Sequence, residues 1–167
     1  MKAANEPLKV VVVGLDGSTF KLIDTFVKKG ELPAIKKLMK EGCRGVMRSC
    51  IPVSSIPAWQ CYSTGRDPSK LGVYGFFKIK VDKAKREVKV RPVSSYDFQG
   101  KEIWDYLGKN GFRSCVIDMP GTYPARKING IMISNPFLEG SVYPPEMEKI
   151  LKKLEIFWLH YLENGDD

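Results

Sequence analysis

Histidine is nearly absent from this chain: His160 is the one histidine in 167 residues. A zinc site normally draws several ligands from His and Cys, so the chain has little with which to hold a metal alone. The four cysteines, Cys43, Cys50, Cys61 and Cys115, form no C-x-x-C pair, which leaves a zinc-ribbon reading without support. In a chain without a secretion pattern the expectation is free, buried thiols. No apolar run approaches the roughly 18 residues that a transmembrane helix requires. The first nine residues are polar and lead straight into a valine run. They lack the basic start, apolar stretch and cleavage site of a signal peptide. These absences point to the cytoplasm and away from a membrane. Internal repeats and low-complexity tracts are missing too.

What is present suits one folded domain over residues 1–167. Hydrophobic residues make up 43% of the chain, enough for a core. The net charge is +8 and the pI about 9.3, a balance that fits nucleic acid, an anionic surface or an anionic substrate. Lysine is spread along the chain and no basic motif is interleaved with aromatics. A solvated surface is therefore the first reading and nucleic-acid binding the last.

In chain order, Lys9 to Leu15 (K-V-V-V-V-G-L) reads as a strand buried on both faces of a parallel sheet. Asp16-Gly17 follows at its carboxyl end, the edge where open α/β sheets bind ligands. The same residues can simply make a turn, with Asp16 or Ser18 capping the next helix. Thr19 to Lys29 places Phe20, Ile23 and Val27 on one helical face, and Gly30 ends it. A second helix starts at Glu31-Leu32-Pro33 and closes at Gly42. Cys43 to Ile51 reads as a strand returning to the sheet. Phe76 to Arg91 alternates as a hairpin turning at Lys83 to Arg86. Asp97 to Asn110 predicts a helix with Trp104 in the core. Phe112 to Met119 and Gly130 to Ser134 predict strands, with a loop at Pro120 to Pro124 between them. Pro145 to Leu162 predicts a last helix with an apolar face. The alternation argues α/β, a mostly parallel sheet flanked by helices with a small hairpin excursion. Right-handed crossovers would set Asp16, Ser55 and the Pro120 loop on one edge.

The central stretch is I-P-V-S-S-I-P-A-W-Q-C-Y-S-T-G, from Ile51 to Gly65. Pro57 is read as the first residue of a helix, with Ser54 and Ser55 just ahead of it. A hydroxyl there can cap the helix. It can also sit where free N–H groups and the helix dipole favour a phosphate, and attack it. The residues alone favour the cap.

Taken together, V-V-V-V-G-L-D-G, G-E-L-P-A-I-K-K-L-M-K-E-G-C-R-G, I-P-V-S-S-I-P-A-W-Q-C-Y-S-T-G and D-P-S-K-L-G-V-Y-G-F resemble the type I phosphodiesterase/nucleotide pyrophosphatase family of the alkaline phosphatase superfamily. The later I-D-M-P-G-T-Y-P-A-R-K-I-N-G and V-Y-P-P-E fit it as well. The resemblance implies an alkaline-phosphatase-like fold and hydrolysis of phosphate-ester or nucleotide-like substrates with two zinc ions. It implies Asp16 as a metal ligand and Ser55 as a nucleophile that also touches the metal, with Ser54 second. Two departures matter. Leu71 stands where the family usually has His. The family's later Asp-x-x-x-His, Asp-His and further His have no counterpart after Pro136. Asp118 is followed by Met119, and His160 falls on an apolar-faced helix. The expectation is the amino-terminal portion of a larger phosphodiesterase-like domain, weak or inactive alone. The alternative is a non-catalytic remnant, or a half of a split enzyme that needs a complementary carboxyl-terminal chain, binding an anion or another chain.

Overall fold

The computed structural model describes residues 9–134 and 138–153. They form two compact units, residues 1–47 and 48–167. The first unit holds α1 (Phe20–Lys29) and α2 (Pro33–Glu41). Thr19, and not Asp16 or Ser18, caps α1: its Oγ1 accepts the Leu22 N–H at 3.4 Å. Gly30 closes the helix in the left-handed conformation, at φ 81°, as expected of glycine at that position. Pro33 opens α2, where a missing N–H costs nothing. Arg44 binds both carboxylate oxygens of Asp24, at 2.8 and 3.2 Å, and lies over the Phe20 ring. The apolar faces of α1 and α2 are only half covered, and neither helix has a fully buried residue.

The valine run is not the buried strand its composition predicts. Residues 9–15 form no strand or helix, and Val10 to Val13 are 63–85% exposed. Residues 43–51 likewise lie in no strand, with Val46 and Met47 exposed. Apolar composition supplies the inclination to form a strand, but a strand exists only where its N–H and C=O groups meet a neighbour. Among the described residues these two segments have no ladder partner.

The second unit contains α3 (Ser55–Thr64), α4 (Pro68–Leu71), β1 (Phe77–Asp82), β2 (Glu87–Pro92), α5 (Ile103–Lys109), β3 (Ser114–Ile117), β4 (Gly130–Ile133), β5 (Val142–Tyr143) and α6 (Glu146–Lys153). Its sheets correct the mostly parallel expectation. Strands β1 and β2 form an antiparallel hairpin in the expected register, Ile79 opposite Val90 and Val81 opposite Val88. In the order β3-β4-β5, β3 runs parallel to β4, but β5 runs antiparallel to β4. The architecture is thus mixed α/β with two small sheets. The parallel content shrinks because, among the described residues, the two amino-terminal segments expected to supply it join neither sheet.

The core gathers Trp104 of α5, Val116 of β3, Met119, Ile128 and Met132 of β4, with Trp59, Ala125 and Tyr143 packed against it. Gly130 permits the β3–β4 contact: a Cβ there would stand 1.8 Å from the Ser114 carbonyl oxygen, at φ 143°. Helix α5 is shorter than Asp97 to Asn110 predicts. Asp97 is drawn into a turn, accepting the Ser94 N–H and hydroxyl and both Arg91 guanidinium nitrogens, at 2.6–3.0 Å. Helix α6 starts as expected, but residues 154–162 of that predicted helix, His160 among them, lie outside the described residues. All four cysteines are free, as expected; none is buried.

Two predictions follow from this packing. The Gly130→Ala variant should lose the β3–β4 pairing, read as a lower thermal midpoint and as faster amide exchange at Ser114 and Asp118, whose N–H groups donate to the Asn129 and Ile133 carbonyls. The second concerns acid. Arg91 and the Ser94 donors hold the Asp97 carboxyl well below the usual carboxylate range. Asp105 is also lowered: burial acts to raise it, and Arg126 with the Glu102 N–H outweighs burial. Folded values below unfolded ones mean stability that is complete above about pH 4 and lost as pH falls through the folded values. The thermal midpoint should therefore decline on acidification below that pH, and decline less steeply in Asp97→Asn.

Candidate active site

Helix α3 opens two residues earlier than predicted, at Ser55, with Ser54 at the cap position. Pro57 is its third residue, still within the first turn, where the helix's own carbonyls offer no acceptor for an N–H. Ser54 has the extended backbone of a cap, but its hydroxyl makes no capping bond. Ser55 is half-buried at the head of the helix. The first intrahelical bond is Ala58 N–H to the Ser54 carbonyl, at 3.0 Å, so the Ile56 amide precedes the helix ladder. Free N–H groups and the positive dipole end together favour an anion at such a place.

Three buried residues, Pro57, Gln60 and Ser63, share one face of α3 and fix its direction. Gln60 is wholly buried, and its Nε2 donates to the Pro120 carbonyl at 3.2 Å. This bond brings the Pro120 loop onto the middle of the serine-bearing helix. Gly121 is required beside it: a Cβ would lie 2.9 Å from Gln60 Nε2 and 3.0 Å from the Phe98 ring, at φ 86°. The Gln60 Oε1 is buried without a hydrogen-bond partner.

Ser63 carries the second anchor. Its hydroxyl shares one proton between the Gln60 carbonyl and Glu102 Oε1, both at 3.2 Å. Glu102 Oε2 in turn accepts from Arg126, at 2.5 and 3.2 Å. The same guanidinium reaches both oxygens of Asp105, at 2.6 and 2.7 Å. Asp105 Oδ2 also accepts the Glu102 N–H at 2.8 Å, closing the amino-terminal turn of α5. One arginine thus ties α3, α5 and the loop entering β4. The charges are largely removed from water, with side chains 11% exposed at Glu102, 22% at Asp105 and 27% at Arg126.

Asp16 lies in the first unit, in a turn with Gly17 at φ 68°. Its Oδ1 accepts the Gly17 N–H at 3.1 Å, so the turn expected of this pair is present. Ser55 lies in the second unit. Among the described residues, no group of three or more His, Cys, Asp or Glu could hold a metal ion. A carboxylate and a hydroxyl are each oxygen donors that zinc accepts, but two are fewer than a closed or catalytic site uses. A cavity of about 430 Å³ is lined by Trp104, Lys127 and Tyr143 among others, and neither serine lines it.

Gln60, Ser63, Glu102 and Arg126 were not foreseen as residues that position the serine. The Glu-x-x-Asp spacing at Glu102 and Asp105 is a legible capping signal. Nothing in the sequence pairs it with Arg126.

The sequence profile of the type I phosphodiesterase / nucleotide pyrophosphatase family matches residues 10–161. The chain therefore belongs to that family of phosphate-ester hydrolases. No curated protein and no solved structure matches it. No helix among the described residues is long and apolar enough to cross a membrane.

Removing Arg126 would leave two buried carboxylates facing each other. Arg126→Ala is expected to cost about 2–3 kcal/mol of unfolding free energy, the scale of charged hydrogen bonds lost from a sheltered site. Urea titration followed by far-UV circular dichroism would measure it.

Proposed function

We propose that the chain is a metal-dependent phosphodiesterase or nucleotide pyrophosphatase in which Ser55 is the nucleophile and Asp16 a metal ligand. The observation that carries this reading is the position of Ser55. It heads a helix anchored at three buried points, in a chain whose family membership covers residues 10–161. The family is metal-dependent, and zinc would supply a lowered hydroxyl pKa and charge neutralisation.

The chain's own contribution is geometric. Helix α3 presents Ser55 Oγ at its positive end, where a phosphoryl group is favoured. The hydroxyl oxygen would attack phosphorus, expel the leaving alcohol or nucleotide and form a phosphoserine that water then hydrolyses. The Ile56 amide is placed to donate to a phosphoryl oxygen as negative charge builds. Asp16 would bind metal through its carboxylate, a hard oxygen donor. With a single histidine in the sequence, the remaining donors have to come from elsewhere, so the isolated chain turns over weakly. A complementary carboxyl-terminal chain would be one source.

Turnover of bis(p-nitrophenyl) phosphate with added zinc tests this. The expected result is slow, zinc-dependent release of p-nitrophenol. It should be lost in Ser55→Ala, reduced in Asp16→Asn and retained in Ser54→Ala. Turnover unchanged by Ser55→Ala would overturn the nucleophile assignment. Fast turnover that needs Ser55 would keep the assignment and show that these 167 residues suffice.

A further inference from the structure

The cavity of about 430 Å³ lies within the second unit, among α5, the segment entering β4, and β5. Its buried lining is apolar. Trp104 and Ile128 are 4% and 8% exposed, and Tyr143 packs against the same core. Lys127 and Asn129 line it from the exposed side. Gly108 lines it from α5. Glycine is a poor helix residue, and here it has a steric reason: a Cβ would stand 3.0 Å from Asn129 Cβ.

Two charged side chains line the cavity, and one of them is committed. Both Asp105 oxygens accept from Arg126, and Oδ2 also takes the Glu102 N–H. Lys127 has no ion pair or hydrogen bond with a described residue. The uncommitted charge is therefore positive. Trp104 adds an unmet donor, since its indole N–H is buried with no acceptor among the described residues. A buried donor left unpaired is costly, and an acceptor brought beside the ring removes that cost.

We propose that this cavity binds a small aromatic carboxylate, its rings against Trp104 and Ile128 and its anionic end toward Lys127. The volume falls in the range of small-molecule sites, which combine apolar walls with a few polar groups. A cavity of about 150 Å³ admits benzene, so this one has room for two fused rings and a carboxylate. A bare inorganic anion would leave the apolar lining uncovered. A cation would meet the Lys127 ammonium, and an uncharged ring would leave that ammonium unanswered. Neither Ser55 nor Asp16 lines the cavity, so the site does not depend on the hydrolytic reading.

Titration of the isotope-labelled full chain with 2-naphthoate, followed by amide and indole N–H resonances, tests this. The Trp104 indole and the Gly108, Lys127 and Asn129 amides should shift saturably, with a Kd near or below about 1 mM, the range open to a ligand of this size. The neutral analogue 2-naphthalenemethanol should bind about tenfold more weakly, the effect of one charged hydrogen bond. Lys127→Met should bind the acid as weakly as the alcohol, and Lys127→Arg should keep the preference. Lys109→Met removes an exposed lysine of the same helix that does not line the cavity, and should match the parent. Both lysines are exposed, so these variants keep the fold, which unchanged resonances elsewhere would confirm. Absence of saturable shifts, shifts confined to the Ser55 and Ile56 amides or to α1 and α2, equal binding of acid and alcohol, or an equal loss in Lys109→Met would each overturn the proposal. None of these readouts involves hydrolysis, so failure here leaves the role of Ser55 to its own test.

Discussion

The structure of the second unit hangs on one guanidinium. Arg126 faces Glu102 and Asp105 together, and both carboxylates have further duties. Asp105 holds the Glu102 amide at the start of α5, and Glu102 accepts the Ser63 hydroxyl of α3. Taking two carboxylates out of water is costly unless a cation and several donors meet them. The fork of an arginine satisfies both at once, which a lysine ammonium would do poorly. Ser63 and Ser55 lie at opposite ends of α3, about 12 Å apart along its axis. The network therefore holds the far end of a rigid rod, Gln60 holds its middle against Pro120, and the serine is carried at the near end.

Much of this fold was legible in the sequence, and the losses share a cause. The hairpin follows from strict alternation around Lys83 to Arg86, and α1 ends where Gly30 requires. Trp104 is core, as helical spacing predicted. Each of these depends on residues close in sequence. The valine run failed because a strand also needs a partner, and local composition carries no information about one. The start of α5 was misread because Arg91 captures Asp97, an acid that would otherwise suit a helix start. At the site, Ser55 was legible as a hydroxyl at a helix head. Its anchors were not, because Arg126 meets Glu102 across 24 residues with no periodic signal.

Local chemistry left the serines ambiguous between cap and nucleophile. Ser54 now holds the cap position with its hydroxyl making no cap bond, and Ser55 is the residue that starts the helix. The proposed nucleophile is the second of these adjacent, identical side chains, and both fall within the stretch that the family match covers.

The hairpin carries a further consequence. Its register sets Lys78 opposite Arg91 and Lys80 opposite Lys89, like charges on one face of a two-stranded ribbon, which repel. Three of the four have partners: Lys78 Nζ donates to the Gly72 carbonyl, Arg91 turns to Asp97, and Lys89 Nζ lies 4.0 Å from Glu87 Oε2. Lys80 still faces Lys89 in water, where dissolved ions screen the repulsion. Dilute buffer therefore loosens this ribbon and added electrolyte tightens it, so its cohesion follows the ionic medium in the sense opposite to that of the Arg44–Asp24 pair.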